Sequence, residues 1–310
     1  MLTKLADVLA YERQGHLTTR NLLPAERVAD LMPFVNDAWE KQQLEVHQQK
    51  LRVILGEEEL ARIDVPTKKR HARIAAIKEE LAALPEGAIP FMQGFNLWRS
   101  CAEIKEIASS EELAGTAAQL LGCKRVRLYQ DSLFVKRPGD GTTHWHSDLA
   151  MCPLDTNAFV TCWLPCQEVP SEEEGGSALV FASGSHRDIG LHHWYAAREV
   201  LDDGEEVDAS NRGYRESLPG PLEVGDATWH HGWTLHAANA NMLPRPRVAL
   251  AFSYFADGAN RLPSKGSRLP HAEDAESYAD WTRGQGAVKP GRIARHPLLP
   301  LVWAGGKPKR

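Results

Sequence analysis

The segment "THWHSDLAM" at residues 143–151 carries three side chains able to ligate a metal, His144, His146 and Asp148, each two positions from the next. Side chains of an extended strand alternate faces with a period of two, so a strand here turns all three to one side. Downstream, "GDATWHHGWTLHAANA" offers His230, His231 and His236 as further imidazoles. Two histidines and one carboxylate with open coordination positions form the ligand set of non-haem Fe(II) oxygenases. The spacing alone leaves open which histidines serve, because a lone His on a strand is more often a hydrogen-bonded core or surface residue.

A second segment adds a charge that asks for a partner. In "RPRVALAFSYF", Arg247, Ala249, Ala251 and Ser253 share one strand face, and Val248, Leu250, Phe252 and Tyr254 share the other. The wholly apolar face is expected to lie buried under helices. On the small-residue face a guanidinium reaching into a cavity is costly unless it meets an anion, and its fork suits a carboxylate bidentately. A dicarboxylate that chelates iron at one end and pairs with Arg247 at the other would satisfy both sites.

The elements that must position these groups follow from the chain's changing character. In "YERQGHLTTRNLLPAERVADLMPFVNDAWEK" a short extended stretch at Leu17–Thr19 precedes Pro24, a helix-starting proline, and Val28, Leu31, Met32 and Val35 fall at helical spacing. Residues 41–84 are dense in Glu, Lys, Arg, Gln and Ala, with Pro66 as the one break, and read as two amphipathic helices in a solvated excursion. In "ASSEELAGTAAQLLG", Ser109 or Ser110 can cap a helix that Gly122 ends. Beyond it, "KRVRLYQDSLFVKRPGDGTTHWHSDLAM", "NAFVTCWLPCQEV", "SALVFASGSH" and the two segments above are β-rich runs broken by Gly, Pro and Asp turns, with a loop-like insert at about 190–217. Helices first and many short strands after them give an α+β class with a β-sandwich or jelly roll as the chemical core.

Composition narrows the partners. A chain of 310 residues, 43% hydrophobic and 25% charged, has enough apolar material for one elaborated globular domain. With 36 basic and 41 acidic residues the net charge is −5, which argues against nucleic acid or an anionic membrane and for a small-molecule partner. No uninterrupted apolar run reaches membrane-spanning length, and "MLTKLADVLAYERQGH" meets charge too early for a secretory signal, so a cytoplasmic location is the expectation. Five cysteines without C-x-x-C spacing read as reduced thiols, and Cys152, Cys162 and Cys166 as poor candidates for a zinc site.

Taken together, "YERQGHLTTRNLLPAERVADL", "YQDSLFVKRPGDGTTHWHSD", "GGSALVFASGSH" and "EVGDATWHHGWTLHAA" resemble the phytanoyl-CoA dioxygenase family of Fe(II)- and 2-oxoglutarate-dependent oxygenases, through nearly the whole chain outside residues 41–84. The resemblance implies a double-stranded β-helix (jelly roll) core over 123–260, packed against a mainly helical part over 1–122 and followed by an extension over 261–310, all one domain. It implies His146, Asp148 and His236 as ligands of Fe(II) and catalytic residues, and Arg247, eleven residues past His236, as the residue that binds 2-oxoglutarate. His144 then becomes a neighbour on the same face, and His231, which also matches a family position, supports the ligands from outside. Trp163 resembles a family tryptophan lying against the co-substrate, and Thr161, which shares its face, is expected to hydrogen-bond the co-substrate. Asn241 fits a family Asn after the distal His, whereas Ala238 and Leu243 stand where small polar residues are common in the family.

The implied activity consumes O2 and 2-oxoglutarate, releases succinate and CO2, and most commonly hydroxylates a small substrate. Asp148 speaks against the related halogenases, which replace the carboxylate ligand by a small residue. For substrate contacts the candidates are Gln130 and Lys136, which share a strand face with Ser132 and Phe134, and Trp145 and Trp233, which with Trp229 flank the ligands. For Lys136, at a Lys-Arg-Pro-Gly turn, the plainer expectation is a surface lysine. Three other readings compete. A cupin-like metal isomerase would need a Glu where Leu149, Ala150 and Met151 stand. A zinc hydrolase would have no use for Arg247. A non-catalytic sensor binding metal or 2-oxoglutarate would keep the same ligands.

Overall fold

The structure, a computed structural model, describes residues 4–188, 214–263 and 277–305. Most of the insert expected at 190–217 lies outside the described residues. Helix α1 (Leu5–Gln14) leads into strand β1 (His16–Thr19), and α2 (Ala25–Leu55) starts directly behind Pro24. Helix α2 continues without a break through position 41, ends at Gly56, and is followed by α3 (Glu57–Ile63) and α4 (Arg70–Ala82), with Pro66 in the gap between these two. Thus the charged stretch does not begin a new element at 41; it prolongs the preceding helix.

Strand β2 (Met92–Phe95) and helix α5 (Ala102–Ala108) precede a helical turn capped by Ser110, whose Oγ accepts the Leu113 N–H, and α6 (Thr116–Leu120). The strands β3 (Arg125–Lys136), β4 (Thr143–His146), β5 (Leu154–Asp155), β6 (Phe159–Pro165), β7 (Leu179–Ser183), β8 (Arg215–Ser217), β9 (Ala227–His231), β10 (His236–Ala238), β11 (Arg247–Ala256), β12 (Asn260–Arg261) and β13 (Leu301–Ala304) follow. They form an antiparallel sheet in the order β1-β9-β6-β11-β3-β13, with β2 also on β3, and a smaller antiparallel sheet β4-β10-β7-β8; β5 pairs with β12. This is the expected α+β architecture of a jelly roll with helices packed on its larger sheet.

The two faces of β11 part as the alternation requires. Leu250, Phe252 and Tyr254 are fully buried with Val28, Leu31, Val35 and Ile104 of the helices, and Val248 packs against the same cluster. Arg247, Ala251 and Ser253 face the other way, into a cavity shared with Thr161 and Trp163 of β6, and Ala249 packs on the same side with Trp163. Strand β3 keeps the same division by a bulge: Ser253 pairs with Gln130 but Tyr254 with Leu128, so Tyr129 is the extra residue. The bulge is what puts Gln130, Ser132 and Phe134 toward the cavity while Leu128 and Leu133 both reach the helix-side core. Truncating Phe252 to alanine in this close-packed core is expected to cost about 3–5 kcal/mol in urea unfolding, and the same change at exposed Phe34 less than about 0.5 kcal/mol. Equal losses at the two positions would refute this division of the faces.

The helical excursion has its own apolar core, in which Leu44, Leu51, Leu60, Ile77 and Leu81 are buried with Met92 of β2. It is not merely a solvated appendage. Lys50, Val53 and Ile54 of α2, together with Pro90, Phe91 and Gln93, supply a wall of the cavity. Among the described residues no helix is long and apolar enough to cross a membrane.

Candidate metal centre

Register brings the candidate ligands together. His146 ends β4 and stands directly opposite His236, the first residue of β10, so the two imidazoles meet with ring centroids 4.2 Å apart. Asp148 lies just past β4, at the start of a tight helical turn over Asp148–Met151, so the strand carries His146 but not the carboxylate. Ser147 between them is extended (φ −128°, ψ 135°), which returns Asp148 to the His146 side. One ligand atom from each of His146, Asp148 and His236 lies within 4.8 Å of the others, with Asp148 Oδ1 3.9 Å from His146 Nε2 and 3.5 Å from His236 Nε2. These three form the one such group among the described residues. His144, exposed on the neighbouring position, is outside it.

Both imidazoles are oriented through their other nitrogen. His146 Nδ1–H donates to the His144 carbonyl at 2.8 Å, and His236 Nδ1–H to the Thr234 carbonyl at 3.0 Å. Each therefore presents the bare Nε2 lone pair to the shared space, which is the arrangement metal-binding histidines require. Burial, with His146 and His230 close by, holds His236 well below the usual imidazole range despite the pull of Asp148. Burial works against the Asp148 carboxylate, but the neighbouring imidazoles of His236, His230 and His146, with the His230 hydrogen bond, outweigh it and hold Asp148 far below the ordinary carboxylate range. A carboxylate held ionised beside two Nε2 lone pairs is the donor set that a divalent cation takes.

The turn before β9 fixes which residues of that strand face the site. Gly225 has φ +95°, and a Cβ there would collide with the Leu23 carbonyl oxygen. Next to it, Asp226 accepts the backbone N–H groups of Asn21 and Glu223 and the guanidinium of Arg20, tying the strand to the β1–α2 connection. From this anchor β9 alternates: Thr228 and His230 are on the cavity side, Trp229 is fully buried in the helix-side core.

That alternation corrects the expectation for His231. His231 does not support the ligands; it packs against His186, with ring centroids 5.2 Å apart, and its Nδ1 accepts the Trp233 N–H. The supporting histidine is His230, whose Nε2 is 3.0 Å from Asp148 Oδ2. Trp229, buried on the helix side rather than flanking the ligands, sets the parity that turns position 230 toward Asp148.

Arg247 and Trp163 meet in the cavity. The Arg247 guanidinium carbon sits 5.1 Å from the Trp163 ring centroid, and both residues are buried. Arg247 Nε is buried with no hydrogen-bond partner, and burial lowers the pKa of the side chain to about 10. Lys136 lies beside it, because β3 and β11 pair these two residues directly. Contrary to the surface expectation, Lys136 is 0% exposed, and its Nζ makes only long contacts, 3.4 Å to Thr143 Oγ1 and 3.5 Å to the Ala238 carbonyl. Burial first, then Arg247, lowers its pKa to about 7 against a smaller opposing pull from Asp140. Asn241 ties the adjoining loop down by donating to the Lys136 and Arg245 carbonyls.

Thr161 turns its hydroxyl to the ligand carboxylate, donating to Asp148 Oδ2 at 2.6 Å. Gln130 and Trp145 line the cavity, whose volume is about 410 Å3, and Gln130 Oε1 is buried without a partner. Trp233 does not line it: its Nε1 donates to Asn157 Oδ1, and its ring packs against the cluster of Tyr129, Leu149 and Trp281. The residues that the sequence did not single out for this cavity, Phe91 and Lys50, form a wall in which the Lys50 ammonium lies 4.9 Å from the Phe91 ring centroid.

A jelly roll whose smaller sheet, with the turn after β4, brings two imidazoles and one carboxylate to a common point has the ligand set of the non-haem iron oxygenases. The family model for phytanoyl-CoA dioxygenase (PhyH) matches residues 11–249, and the chain belongs to that family of Fe(II)/2-oxoglutarate-dependent oxygenases. Its cofactors are accordingly iron and 2-oxoglutarate. A probable alpha-ketoglutarate-dependent hypophosphite dioxygenase of Stutzerimonas stutzeri is 29% identical over 163 residues, which are 50% of this chain and 54% of that protein, so the chain matches only about half of that relative's length. Among solved structures, the non-heme alpha ketoglutarate dependent carbocyclase SnoK from nogalamycin biosynthesis is 20% identical with a TM-score of 0.65, covering 96% of each chain. EctD from S. alaskensis, with 2-oxoglutarate and 5-hydroxyectoine, is 18% identical with a TM-score of 0.58, covering 96% of this chain and 89% of that one. At these identities the two structures share the fold.

Proposed function

We propose that the chain is a 2-oxoglutarate-dependent hydroxylase of a small molecule, with His146, Asp148 and His236 as the iron ligands and Arg247 and Lys136 as the anchor of the co-substrate. The observation that carries this reading is the pairing of an oriented His-Asp-His group with buried Arg247 in the same cavity and buried Lys136 beside it on β3, neither of them in an ion pair with a carboxylate among the described residues. Burying such charge is costly without an anion, and a diacid long enough to reach both ends supplies one. Iron with 2-oxoglutarate and O2 supplies an oxidant that inserts oxygen into a substrate C–H bond while the co-substrate becomes succinate and CO2.

The protein's own residues have separate tasks in this reading. The guanidinium of Arg247 forks onto the far carboxylate, Lys136 adds a point charge beside it, and Trp163 covers the guanidinium and keeps water off the pair. The substrate occupies the part of the cavity walled by Phe91, Phe134, Trp145, Gln130 and Lys50. Phe91 and Phe134, edge to face with centroids 5.2 Å apart, make an apolar surface there, while Gln130 offers an amide for orientation. A substrate with a flat or apolar body and at least one polar group fits this lining.

Anaerobic addition of Fe(II) and then 2-oxoglutarate should produce the weak visible charge-transfer absorption of a chelated 2-oxo acid. Admission of air should then release succinate, and a metabolite screen should yield a product heavier by one oxygen atom. A product of unchanged mass, or one lighter by two hydrogens, would overturn hydroxylation, and failure to form the absorption would overturn the oxygenase reading itself.

A further inference from the structure

The Asp148 carboxylate has two oxygens, and the structure treats them differently. Oδ1 is the oxygen nearest both ligand imidazoles. Oδ2 is taken up on the other side, by Thr161 Oγ1 at 2.6 Å and His230 Nε2 at 3.0 Å. Ser253 Oγ lies 3.1 Å from Thr161 Oγ1, and because Thr161 spends its single proton on the carboxylate, Ser253 must be the donor of that pair. His230 is 2% exposed, and its Nδ1 is buried with no partner among the described residues. A proton on Nδ1 would be an unsatisfied buried donor, so the proton belongs on Nε2, where it points at Asp148.

The His230 ring has little freedom to leave this position. It lies 4.2 Å from the His236 ring and 5.6 Å from the Phe181 ring, and His16 stacks on Phe181 at 4.8 Å while its Nε2 meets Ser183 Oγ at 2.7 Å. Strand pairing fixes the same contact from the backbone: His230 sits between His16 of β1 and Thr161 of β6 in register, so both donors to Oδ2 come from neighbouring positions on one sheet. A carboxylate gripped in this way by two donors cannot swing its second oxygen toward a metal without breaking two hydrogen bonds in a buried site.

We propose that His230 is a positioning residue which, together with Thr161, holds Oδ2 of Asp148 and so restricts that ligand to a single oxygen on the iron. The inference rests on the iron reading given above. Its consequence is a matter of counting. Three protein donors leave three positions of an octahedral ion, two of which a chelating 2-oxo acid fills, so a second oxygen from Asp148 would occupy the last. The clamp keeps that position open, and it holds the ligand in place before the metal arrives.

The test uses the full-length protein, loaded anaerobically with Fe(II), or with Co(II) as a spectroscopic probe, and needs no turnover. His230→Phe keeps the ring but loses the donor, and it should weaken metal binding about 10- to 100-fold, the usual cost of losing an outer partner of a ligand. It should also alter the ligand-field spectrum of bound Co(II), as a carboxylate free to use both oxygens changes the coordination number. His230→Gln, which can place an amide N–H near the same point, should recover most of the affinity and the wild-type spectrum. Thr161→Val should weaken binding in the same direction. If wild type binds metal and His230→Phe binds it equally tightly with an unchanged spectrum, the clamp is wrong while the iron reading survives. If Gln fails to rescue although the variant melts at the wild-type temperature, the hydrogen bond is not the cause and the proposal also falls. Absence of metal binding by wild type would overturn the iron reading and this inference with it.

Discussion

His236→Ala and His146→Ala are expected to abolish Fe(II) binding, and His144→Ala to leave it within a few-fold of wild type. Removing a ligand should cost more than the roughly 10- to 100-fold that loss of an outer partner costs. The three substitutions remove the same chemical group from positions close in space, so they separate ligation from general damage. His144 offers its backbone carbonyl to His146 Nδ1, and alanine preserves that carbonyl. Metal content after anaerobic loading and desalting measures the difference. Equal loss in all three variants would show that the motif as a whole matters rather than the two imidazoles facing each other across β4 and β10. Asp148→Ala should behave as the two ligand histidines do.

Arg247→Met should have opposite effects on binding and on stability. Loss of a buried, hydrogen-bonded charge pair costs about 2–5 kcal/mol, so the dissociation constant for 2-oxoglutarate should rise at least about thirtyfold. In the ligand-free protein the same substitution removes a desolvated guanidinium whose Nε has no partner, next to a second buried cation, and should leave the melting temperature unchanged or raise it. A lower melting temperature together with unchanged 2-oxoglutarate affinity would assign Arg247 a structural role instead.

Lys136 makes this anchor sensitive to pH. With burial and Arg247 lowering its pKa to about 7 in the free protein, the side chain loses its charge as the pH rises past neutrality, while a bound carboxylate would keep it protonated. The groups facing it are Arg247, which favours loss of the proton, and Asp140, which opposes it. Binding of 2-oxoglutarate therefore takes up a proton above that point, and its dissociation constant should rise by up to about tenfold per pH unit between about pH 7.5 and about pH 9. The stability of the free protein runs the other way. A base whose pKa is lowered on folding binds fewer protons than in the unfolded chain, so stability increases with pH from about 7 toward the unfolded value near 10.4. Lys136→Met should flatten both dependences.

Much of this site could be read from residues alone, because it depends on period-two alternation along single strands. The two faces of β11, and with them Arg247 over alanines, follow from "RVALAFSY". The His-x-Asp pair is legible too, although Asp148 reaches the site from a turn rather than from the strand. What was not legible depends on register between strands and on packing across the chain. His230 and His231 are adjacent and chemically identical; only the burial of Trp229 under the helices shows which of them faces Asp148. Lys136 stands before a Pro-Gly turn, as surface lysines often do, and its burial follows from pairing with Arg247 on a strand 111 positions away in sequence. Residues 41–84 have the composition of a solvated helix pair. Their contribution to the cavity through Lys50, Val53 and Ile54 comes from the long continuation of α2, which no local pattern announced.

The most direct test is a crystal grown anaerobically with Fe(II) and 2-oxoglutarate, with anomalous scattering used to locate the iron. The account predicts one peak about 2.0–2.3 Å from His146 Nε2, His236 Nε2 and a single oxygen of Asp148, with the far carboxylate of 2-oxoglutarate on the Arg247 guanidinium. Iron bound elsewhere, or 2-oxoglutarate chelated with its far carboxylate turned away from Arg247 and Lys136, would contradict it.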